Sequence, residues 1–472
     1  MVDYMELQHF LKKKYIISYE DSKKKLINSS ILKKRRCTGL TIKGFQCSRL
    51  VSVTNKYCFQ HKSINLINDS KVSLKTIKLV TKKKLTNSFS MLSLSLNDQL
   101  NKNLKKDYGI FFTSQILINI ILNRLKIILS KINIRISKIL EPSCGSGEFL
   151  FSLNKYFCKT KILGIEHNES IYNKIKNFSL TNNILVIKKK NFLKFYNKKG
   201  FDLIIGNPPY KGIKKALVSD YRSFFSNKVN LYCLFILHSL KHLTPGGILV
   251  FVLPKSFLNS MSYNNIRIYI KNNCKILFII DNLVEKYFLG TNVETCVLFL
   301  QKKKSLSKKY YVFFGNYLSF NNQYKYLNKL LIEGKPLKNF GFNITVGNVL
   351  KSNKNKFSGA RGYLICSNNI SNNILVLNST SIIFSDNLQY GSCIVVSRGF
   401  GNTKFIFKYA LVNIKEGFLI ENHLLVIKQT ENSISLSELT EKFKNENFLN
   451  FISLYFSYQS LNIKELELLP IF

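Results

Sequence analysis

From residue 108 onward, short apolar runs alternate with stretches long enough for a helix. A run of about five apolar residues suits one buried strand, and a helix between two such strands makes them parallel. The alternation therefore predicts an α/β fold with helices on both faces of a doubly wound, Rossmann-like sheet. A helix is predicted at 114–129, and strands at 136–140, 161–165, 184–187, 201–205, 248–253 and 275–280.

The charge of the chain is strongly one-sided. Its 71 Lys and Arg against 26 Asp and Glu give +45 at pH 7, which favours a polyanionic partner such as nucleic acid. An AT-rich coding sequence would also enrich Lys and Asn, but it would not by itself leave so few acidic residues. Residues 1–106 hold 23 Lys and Arg against 6 Asp and Glu, so we interpret them as a basic arm.

A different pattern begins after the lysines at 302–304, where short strand-like runs are separated by Asn, Ser and Gly. It predicts a separate, mixed or mostly β domain from 310 to 472. Arg398 is followed by Gly-Phe-Gly, and a base contact, a phosphate contact and an ordinary surface turn remain open there. His423 has apolar neighbours, so we expect a core histidine rather than a ligand.

The first motif with chemical content is a glycine turn directly after the strand that ends at Leu140. It reads Glu141-Pro142-Ser-Cys144-Gly145-Ser-Gly147. Two glycines let the main chain approach a ligand, and the following helix presents free N–H groups at the carboxyl edge of the sheet. Glu166 ends the next strand about twenty residues later, where a carboxylate can accept both hydroxyls of a ribose. The spacing predicts a nucleotide-like cofactor.

The second motif is Asn207-Pro208-Pro-Tyr210, which follows the predicted strand at 201–205. Two prolines restrict the main chain, so that the Asn207 side-chain oxygen and the Pro208 carbonyl can converge on one amino group. Tyr210 offers a flat face for a planar substrate. This arrangement suits an amine that is conjugated to a ring or a carbonyl.

The two motifs, in this order, resemble the S-adenosylmethionine-dependent DNA adenine-N6 methyltransferases of the TaqI-type arrangement. The resemblance covers residues 108 to about 300. It implies a methyltransferase catalytic domain at 107–305, a target-recognition domain at 310–472, S-adenosyl-L-methionine as cofactor and double-stranded DNA as partner. The carboxy-terminal part is most similar to enzymes of giant DNA viruses. The implied activity is site-specific methylation of N6 on an adenine flipped out of the duplex.

The resemblance also implies individual roles. Thr113, in Gly109-Ile-Phe-Phe-Thr113, lies in the segment that closes over the methionine end of the cofactor, and Phe288 takes the place of a second aromatic that stacks on the flipped base. Asn191 and Phe192 correspond to a pair that holds the cofactor's adenine, although the family's usual first residue is Asp. An amide lacks the charge of that carboxylate, so its bond is weaker. The implied cofactor residues are Thr113, Glu141, Pro142, Cys144, Gly145, Gly147, Glu166, Asn191 and Phe192, and the implied catalytic residues are Asn207, Pro208, Tyr210 and Phe288.

A cluster of thiols lies within the basic arm. Cys37, Cys47, Cys58 and His61 would saturate a tetrahedral Zn²⁺, and a segment with so small a core needs such support to fold. We therefore predict a zinc-binding module at 31–65, between a basic tail at 1–30 and a basic linker at 66–106. Reduced, unligated thiols are the alternative.

Other functions and the location complete the expectations. An RNA or protein-glutamine N-methyltransferase would use the same tetrapeptide, and a catalytically dead DNA-binding protein would keep the fold. No apolar run reaches the roughly 18 residues that span a bilayer, and residues 1–10 show no secretion signal. We expect a soluble, intracellular monomer, located in the host cytoplasm or the viral factory if it is viral.

Overall fold

The computed structural model describes residues 34–36, 50–52, 88–100, 109–177, 185–214, 219–225, 229–283, 287–289, 293–350, 358–399, 405–456 and 460–472. The chain divides into two compact units, Met1–Lys84 and Leu85–Phe472. In the first unit, strand β1 (Lys34–Arg36) pairs antiparallel with β2 (Leu50–Ser52), with Arg36 opposite Leu50.

Among the helices that the structure describes, none is both long enough and apolar enough to cross a membrane.

The second unit opens with an α/β region. The elements are α1 (Met91–Gln99), β3 (Phe112–Thr113), α2 (Gln115–Ile132), β4 (Lys138–Glu141), α3 (Glu148–Tyr156), β5 (Lys161–Glu166), α4 (Glu169–Ile175), β6 (Leu185–Lys189), β7 (Phe201–Gly206), β8 (Gly212–Ile213), β9 (Val229–Asn230), α5 (Leu231–His242), β10 (Leu243–Pro254), α6 (Asn264–Asn273), β11 (Lys275–Leu283), β12 (Phe288–Leu289) and β13 (Thr295–Gln301).

Seven of these strands form one sheet in the order β11-β13-β10-β7-β4-β5-β6. The neighbours from β10 to β6 are parallel, whereas β13 runs antiparallel to both β10 and β11. The predicted α/β sheet is confirmed, and β13 is an addition to the six predicted strands. No helix precedes β13 after β11 among the residues that are described, so the alternation of helix and strand carries no signal for it.

Helices on both faces explain why the strands are continuously apolar. Successive residues of a strand point to opposite faces, and in β7 Leu203 and Ile205 pack into one hydrophobic cluster while Ile204 packs into the other. Both faces are therefore buried, as parallel sheets require. At one side the sheet ends in β6, where Lys188 and Lys189 are exposed.

Helix α1 lies inside the range that the sequence predicts as a basic linker. Ser90 caps it, with its side-chain oxygen accepting a hydrogen bond from the Ser93 amide. Leu96 is only 1% exposed and packs with Leu100, Phe112 and Ile171. An N-cap and a buried leucine make this segment a packed helix of the second compact unit rather than a linker.

The carboxy-terminal part is a mixed, mainly β region, as predicted. The elements are β14 (Tyr311–Phe314), β15 (Tyr317–Phe320), α7 (Tyr324–Glu333), β16 (Lys335–Pro336), β17 (Asn343–Val346), β18 (Arg361–Ile365), β19 (Ile370–Ser371), β20 (Ile374–Leu375), β21 (Ile382–Phe384), β22 (Cys393–Ser397), β23 (Tyr409–Val412), β24 (Phe418–Ile420), β25 (Leu424–Lys428), α8 (Leu436–Lys442), α9 (Glu446–Tyr455), α10 (Ile463–Leu468) and β26 (Pro470–Ile471). A four-stranded antiparallel sheet has the order β17-β25-β22-β23, and a three-stranded sheet has the order β21-β18-β24.

The expectation that His423 is a core histidine is wrong. His423 is exposed, because it lies in the turn between β24 and β25. Its apolar neighbours in sequence are the ends of these two buried strands, and the turn between them faces solvent.

Candidate active site

The carboxyl ends of β4, β5 and β7 bring the two predicted motifs to one edge of the sheet. Glu141 is the last residue of β4, Glu166 is the last residue of β5, and Asn207 directly follows β7. These strands are parallel, so their ends meet at the same edge, where doubly wound sheets bind ligands.

The glycine turn has the backbone conformation that the sequence predicts. Gly145 and Gly147 have φ values of 51° and 83°, in the left-handed region. Gly147 is the N-cap of α3, and a Cβ at this position would lie 2.9 Å from the Phe151 ring. The Cys144 amide donates to the Ile165 carbonyl at 2.9 Å, which ties the turn to β5. The turn is thus a narrow cradle that a side chain at Gly147 would disturb.

Glu166 faces this turn. Its Oε2 accepts from the Gly145 amide at 2.9 Å, and its Oε1 accepts from the Asn168 amide at 2.7 Å. Burial raises the pKa of this carboxyl, and the main-chain amides of Asn168 and Gly145 oppose that rise. A carboxylate oxygen can accept more than one hydrogen bond, so both oxygens keep capacity for ligand hydroxyls.

Glu141 is almost completely buried, with 2% of its surface exposed. Its Oε2 has no hydrogen-bond partner among the described atoms. Burial, and then the charges of Glu166 and Glu148, raise its pKa well above the ordinary value. Pro142 and Cys144 are buried beside it. A Cβ added to Gly206 would lie 3.4 Å from Glu141 Cγ, so this carboxyl also contacts the start of the Asn207 turn.

Asn207 has its carboxamide anchored at one end only. The Nδ2 atom donates to the Phe111 carbonyl at 3.3 Å and to Thr113 Oγ1 at 3.1 Å. The Oδ1 atom is buried and has no partner in the part of the chain that is described. Ser143 Oγ donates to the Asn207 carbonyl at 3.2 Å, so the glycine turn and the Asn207 turn are joined directly.

Tyr210 is fixed by its hydroxyl and by its ring. The hydroxyl donates to the Val252 carbonyl at 3.1 Å, and the ring lies 5.7 Å from that of Phe111 and 5.8 Å from that of Tyr232. Burial raises the pKa of Tyr210 well above the ordinary value, so the phenol stays neutral. Phe111 is half-buried against Tyr210 and was not among the predicted residues; the Phe-Phe pair before Thr113 was the available signal.

Phe288 is brought to the site by its main chain but not by its ring. It pairs with Thr113 across β12 and β3, whereas its side chain is 5% exposed and belongs to a core cluster with Leu283 and Val297. The ring is therefore buried and presents no exposed face for stacking on a base. Local sequence does not distinguish a strand aromatic that points into the core from one that points into a cleft.

Asn191 and Phe192, which follow β6, both have their side chains engaged within the protein. Asn191 Oδ1 accepts from the Leu193 amide at 3.0 Å and caps a short helical turn, Phe192–Lys194. The Phe192 ring is buried, 5.0 Å from Phe235 and 4.8 Å from the His238 ring. A role for Phe192 toward an adenine would therefore fall to its main chain.

Helix α1 is joined to the glycine turn by a polar network that the sequence did not predict. Ser93 Oγ lies 2.7 Å from Ser146 Oγ and 2.6 Å from Glu148 Oε1. The Ser90 amide donates to the same Glu148 oxygen at 2.9 Å. The start of α3 is therefore held from outside the sheet by α1.

Two further predicted sites have different outcomes. The predicted zinc ligands, Cys37, Cys47, Cys58 and His61, lie outside the described residues. Among the residues that are described, no cluster of metal-binding side chains occurs. Arg398 donates from Nε to the Leu461 carbonyl at 3.2 Å and from Nη1 to the Asn422 carbonyl at 3.5 Å. Its guanidinium thus ties together three segments of the carboxy-terminal part.

Comparison with known proteins places this geometry in a family. The sequence profile described as N-6 DNA Methylase matches residues 95–335, just over half of the chain. The chain belongs to the N-6 DNA methylase family. Family and fold together assign S-adenosylmethionine-dependent DNA methylation to it, and the predicted resemblance is confirmed at this level.

Two viral proteins and one solved protein–DNA complex are similar to this N-6 DNA methylase. Type II methyltransferase M.CvrRI of Paramecium bursaria Chlorella virus XZ-6E is 27% identical over 394 residues, which are 81% of this chain and 99% of that protein. Modification methylase CviBIII of Paramecium bursaria Chlorella virus NC1A is 29% identical over 179 residues, 37% of this chain and 45% of that protein. A cryo-EM structure of a DrdV-DNA complex is similar over 75% of this chain and 53% of its own, with 13% identity and a TM-score of 0.44. Viral relatives of this chain are thus present; a particular similarity of the carboxy-terminal part to enzymes of giant DNA viruses stays a prediction.

Proposed function

We propose that this N-6 DNA methylase transfers a methyl group to N6 of an adenine that has rotated out of double-stranded DNA at a specific sequence. One observation carries the proposal: Asn207 Oδ1 is buried, has no partner in the described structure and lies next to the glycine turn. Buried acceptors are normally paired. An amine of the substrate is the partner that fits.

The residues at the carboxyl edge fit S-adenosylmethionine. Glu166 offers its two oriented carboxylate oxygens to the ribose hydroxyls, and Gly145 and Gly147 leave room for close contact with the main chain. Glu141 Oε2 is a buried acceptor without a partner, as the ammonium group of a methionine moiety would need. Asn191, and Phe192 through its main chain, are proposed for the adenine. The cofactor, when bound, supplies an electrophilic methyl group on sulfonium.

The catalytic task of the chain is to make the adenine amine nucleophilic. The lone pair of that nitrogen is delocalised into the ring. Asn207 Oδ1 and the Pro208 carbonyl would accept its two N–H groups and so favour tetrahedral geometry, which returns the lone pair to nitrogen. Both acceptors belong to a turn that is already fixed before substrate binds, so little reorganisation is needed at the reaction step.

Three parts of the chain are proposed to contact DNA: one supports the flipped base, one binds phosphates and one reads the sequence. Tyr210, with Phe111 beside it, supports the flipped base, and stacking of this kind is worth about 1–3 kcal/mol per base. The net charge of +45 favours the phosphate backbone. We assign target recognition to the β region from 310 to 472, because phosphate contacts alone carry no sequence information.

The zinc module remains a prediction. In the sequence, Cys37 directly follows the last residue of β1, and Cys47 lies three residues before Leu50, where β2 begins. One Zn²⁺ per chain, held by Cys37, Cys47, Cys58 and His61, is the expected result of metal analysis on the reduced full-length protein. Less than stoichiometric zinc would favour unligated thiols.

The test of the function uses the wild-type chain and Asn207→Ala. DNA from cells that express wild type should carry N6-methyladenine at one sequence motif in long-read sequencing. Asn207→Ala should lose methyl transfer by about 100-fold or more, because an acceptor acting at the transition state is removed, with DNA and cofactor affinities within a few fold. Methylation of RNA or protein with none on DNA, or no activity at all, would reject the proposal.

A further inference from the structure

The orientation of the Asn207 carboxamide is decided by the segment that precedes α2. Its Nδ2 faces the Phe111 carbonyl oxygen and the Thr113 hydroxyl at 3.3 Å and 3.1 Å. A main-chain carbonyl can only accept a hydrogen bond, so the atom facing it must be the amide nitrogen. The opposite flip would set two acceptors against each other and would turn N–H groups toward a substrate amine that itself needs acceptors.

Thr113, which accepts a hydrogen bond from the Asn207 carboxamide, has a well-fixed main chain. Its main chain pairs with Phe288 in the β3–β12 ladder. The next residue, Ser114, caps α2 and donates its own amide to the Tyr287 carbonyl at 2.8 Å. A β-branched side chain has few rotamers. The hydroxyl oxygen that accepts from Asn207 is therefore fixed by the main chain on both sides.

We infer that Thr113 is a positioning residue for methyl transfer, whose hydroxyl holds Asn207 with Oδ1 directed at the target amine. This rests on the proposed function, since it assumes that Asn207 accepts from that amine. It differs from a role in holding the cofactor, because the group that Thr113 acts on is Asn207. Removal of the hydroxyl leaves Asn207 one acceptor, at the longer distance of 3.3 Å, and lets the carboxamide turn.

The experiment measures the single-turnover rate of methyl transfer at saturating DNA and S-adenosylmethionine. Thr113→Val keeps the shape of the side chain and loses the hydroxyl, and we expect the rate to fall by roughly ten-fold, the equivalent of one hydrogen bond. Thr113→Ser should stay within about three-fold of wild type. Thr295→Val is the matched control, because Thr295 is equally buried and its hydroxyl has no partner among the described atoms; its rate should equal that of wild type.

Binding measurements separate the two roles of Thr113. Calorimetry should give cofactor and DNA affinities within about two-fold for Thr113→Val. If Thr113→Val does not fold, Thr113→Ala and Thr113→Ser give the same comparison, since they differ by one oxygen atom. A normal rate in Thr113→Val, a Thr113→Ser enzyme as slow as Thr113→Ala, or a loss confined to cofactor affinity would each overturn the inference. An inactive wild type would instead reject the proposed function.

Discussion

At the scale of single residues, the candidate site holds two side-chain oxygens that have no partner among the described atoms. Glu141 Oε2 and Asn207 Oδ1 are both buried and unpaired among the described atoms. A buried acceptor without a partner costs about 1–3 kcal/mol. Their positions on neighbouring strand ends, beside the glycine turn, support the proposal that the missing partners belong to ligands.

The role of Glu166 can be tested through cofactor affinity. Glu166→Gln replaces the carboxylate by an amide, whose NH₂ group cannot accept from a ribose hydroxyl. We expect the dissociation constant for S-adenosylmethionine to rise by about ten-fold or more, as measured by calorimetry. Glu169→Gln, an exposed change three residues away, should leave it unaltered. Equal affinities for Glu166→Gln and wild type would show that Glu166 does not hold the ribose.

A second residue-scale prediction concerns pH. Glu465 is buried, and burial raises its pKa from 4.5 to about 7, against the opposing effects of Asn462, Arg267 and Arg398. Because the folded state holds this proton more tightly than the unfolded state, its contribution to stability is complete below about pH 4.5 and is lost as the pH rises through about 7.

Urea unfolding of wild type and Glu465→Gln at pH 5 and pH 8 measures this contribution. The amide does not titrate, so the stability of the variant relative to wild type should improve between the two pH values, by up to about 3 kcal/mol. The difference between the proteins cancels the other titrating groups. A constant difference across this range would contradict the prediction.

Which residues the sequence could predict depends on whether their roles follow from main-chain position. Glu166 ends one buried parallel strand and Asn207 follows another, so topology alone places both at the carboxyl edge of the sheet. The ring of Phe288 and the exposure of His423 depend on how a side chain turns relative to its neighbours. The anchoring of Asn207 by Thr113 joins residues 94 positions apart, and such a contact has no signature in local pattern.

At the scale of elements, α1 shows how a short segment outside the sheet takes part in the site. Its Ser93 hydroxyl and the Ser90 amide both contact Glu148 at the start of α3, and Leu96 anchors it to the body. The helix lies within the basic arm by charge but belongs to the second compact unit by packing. The N-capping Ser90 was a signal in the sequence, but the abundant lysines around this segment led to its interpretation as a linker.

Hydrogen exchange should show that Leu96 holds this helix. Leu96→Ala removes a side chain that is 1% exposed, a change that typically costs 2–5 kcal/mol in a core. Amides of residues 91–99 should exchange faster in this variant. Met91→Ala, in the same helix but 82% exposed, should exchange like wild type. Unchanged protection in Leu96→Ala would mean that the polar network alone holds α1.

At the scale of the whole molecule, the boundary between the two compact units separates a densely basic segment from the unit that contains the sheet, and this second unit is itself basic, with 51 Lys and Arg against 21 Asp and Glu. Residues 1–84 carry 20 Lys and Arg against 5 Asp and Glu, whereas α1 and the sheet lie beyond Lys84. A deletion of residues 1–84 spares α1, whereas a deletion that reaches into α1 would also remove the contacts of Ser93 with Ser146 and Glu148.

Deletion of residues 1–84 should weaken binding to all DNA sequences alike. Fewer phosphate contacts release fewer counterions, so the dependence of affinity on salt should become shallower. The methylated motif should stay the same, because phosphate contacts do not read sequence. Fluorescence anisotropy over a series of salt concentrations and long-read sequencing check the two parts. A changed motif would show that the arm takes part in sequence recognition.

The lysines of the outer strand β6 bear on aggregation as well as on DNA binding. An outer strand presents unpaired N–H and C=O groups to which a strand from another molecule can attach, and parallel sheets pair slowly during folding. Lys188 and Lys189 lie on that strand and are exposed, and Lys189 forms an ion pair with Glu169. Lysines on an outer strand oppose edge-to-edge pairing with a second molecule, so the composition that suits a DNA enzyme also disfavours aggregation of newly made chains.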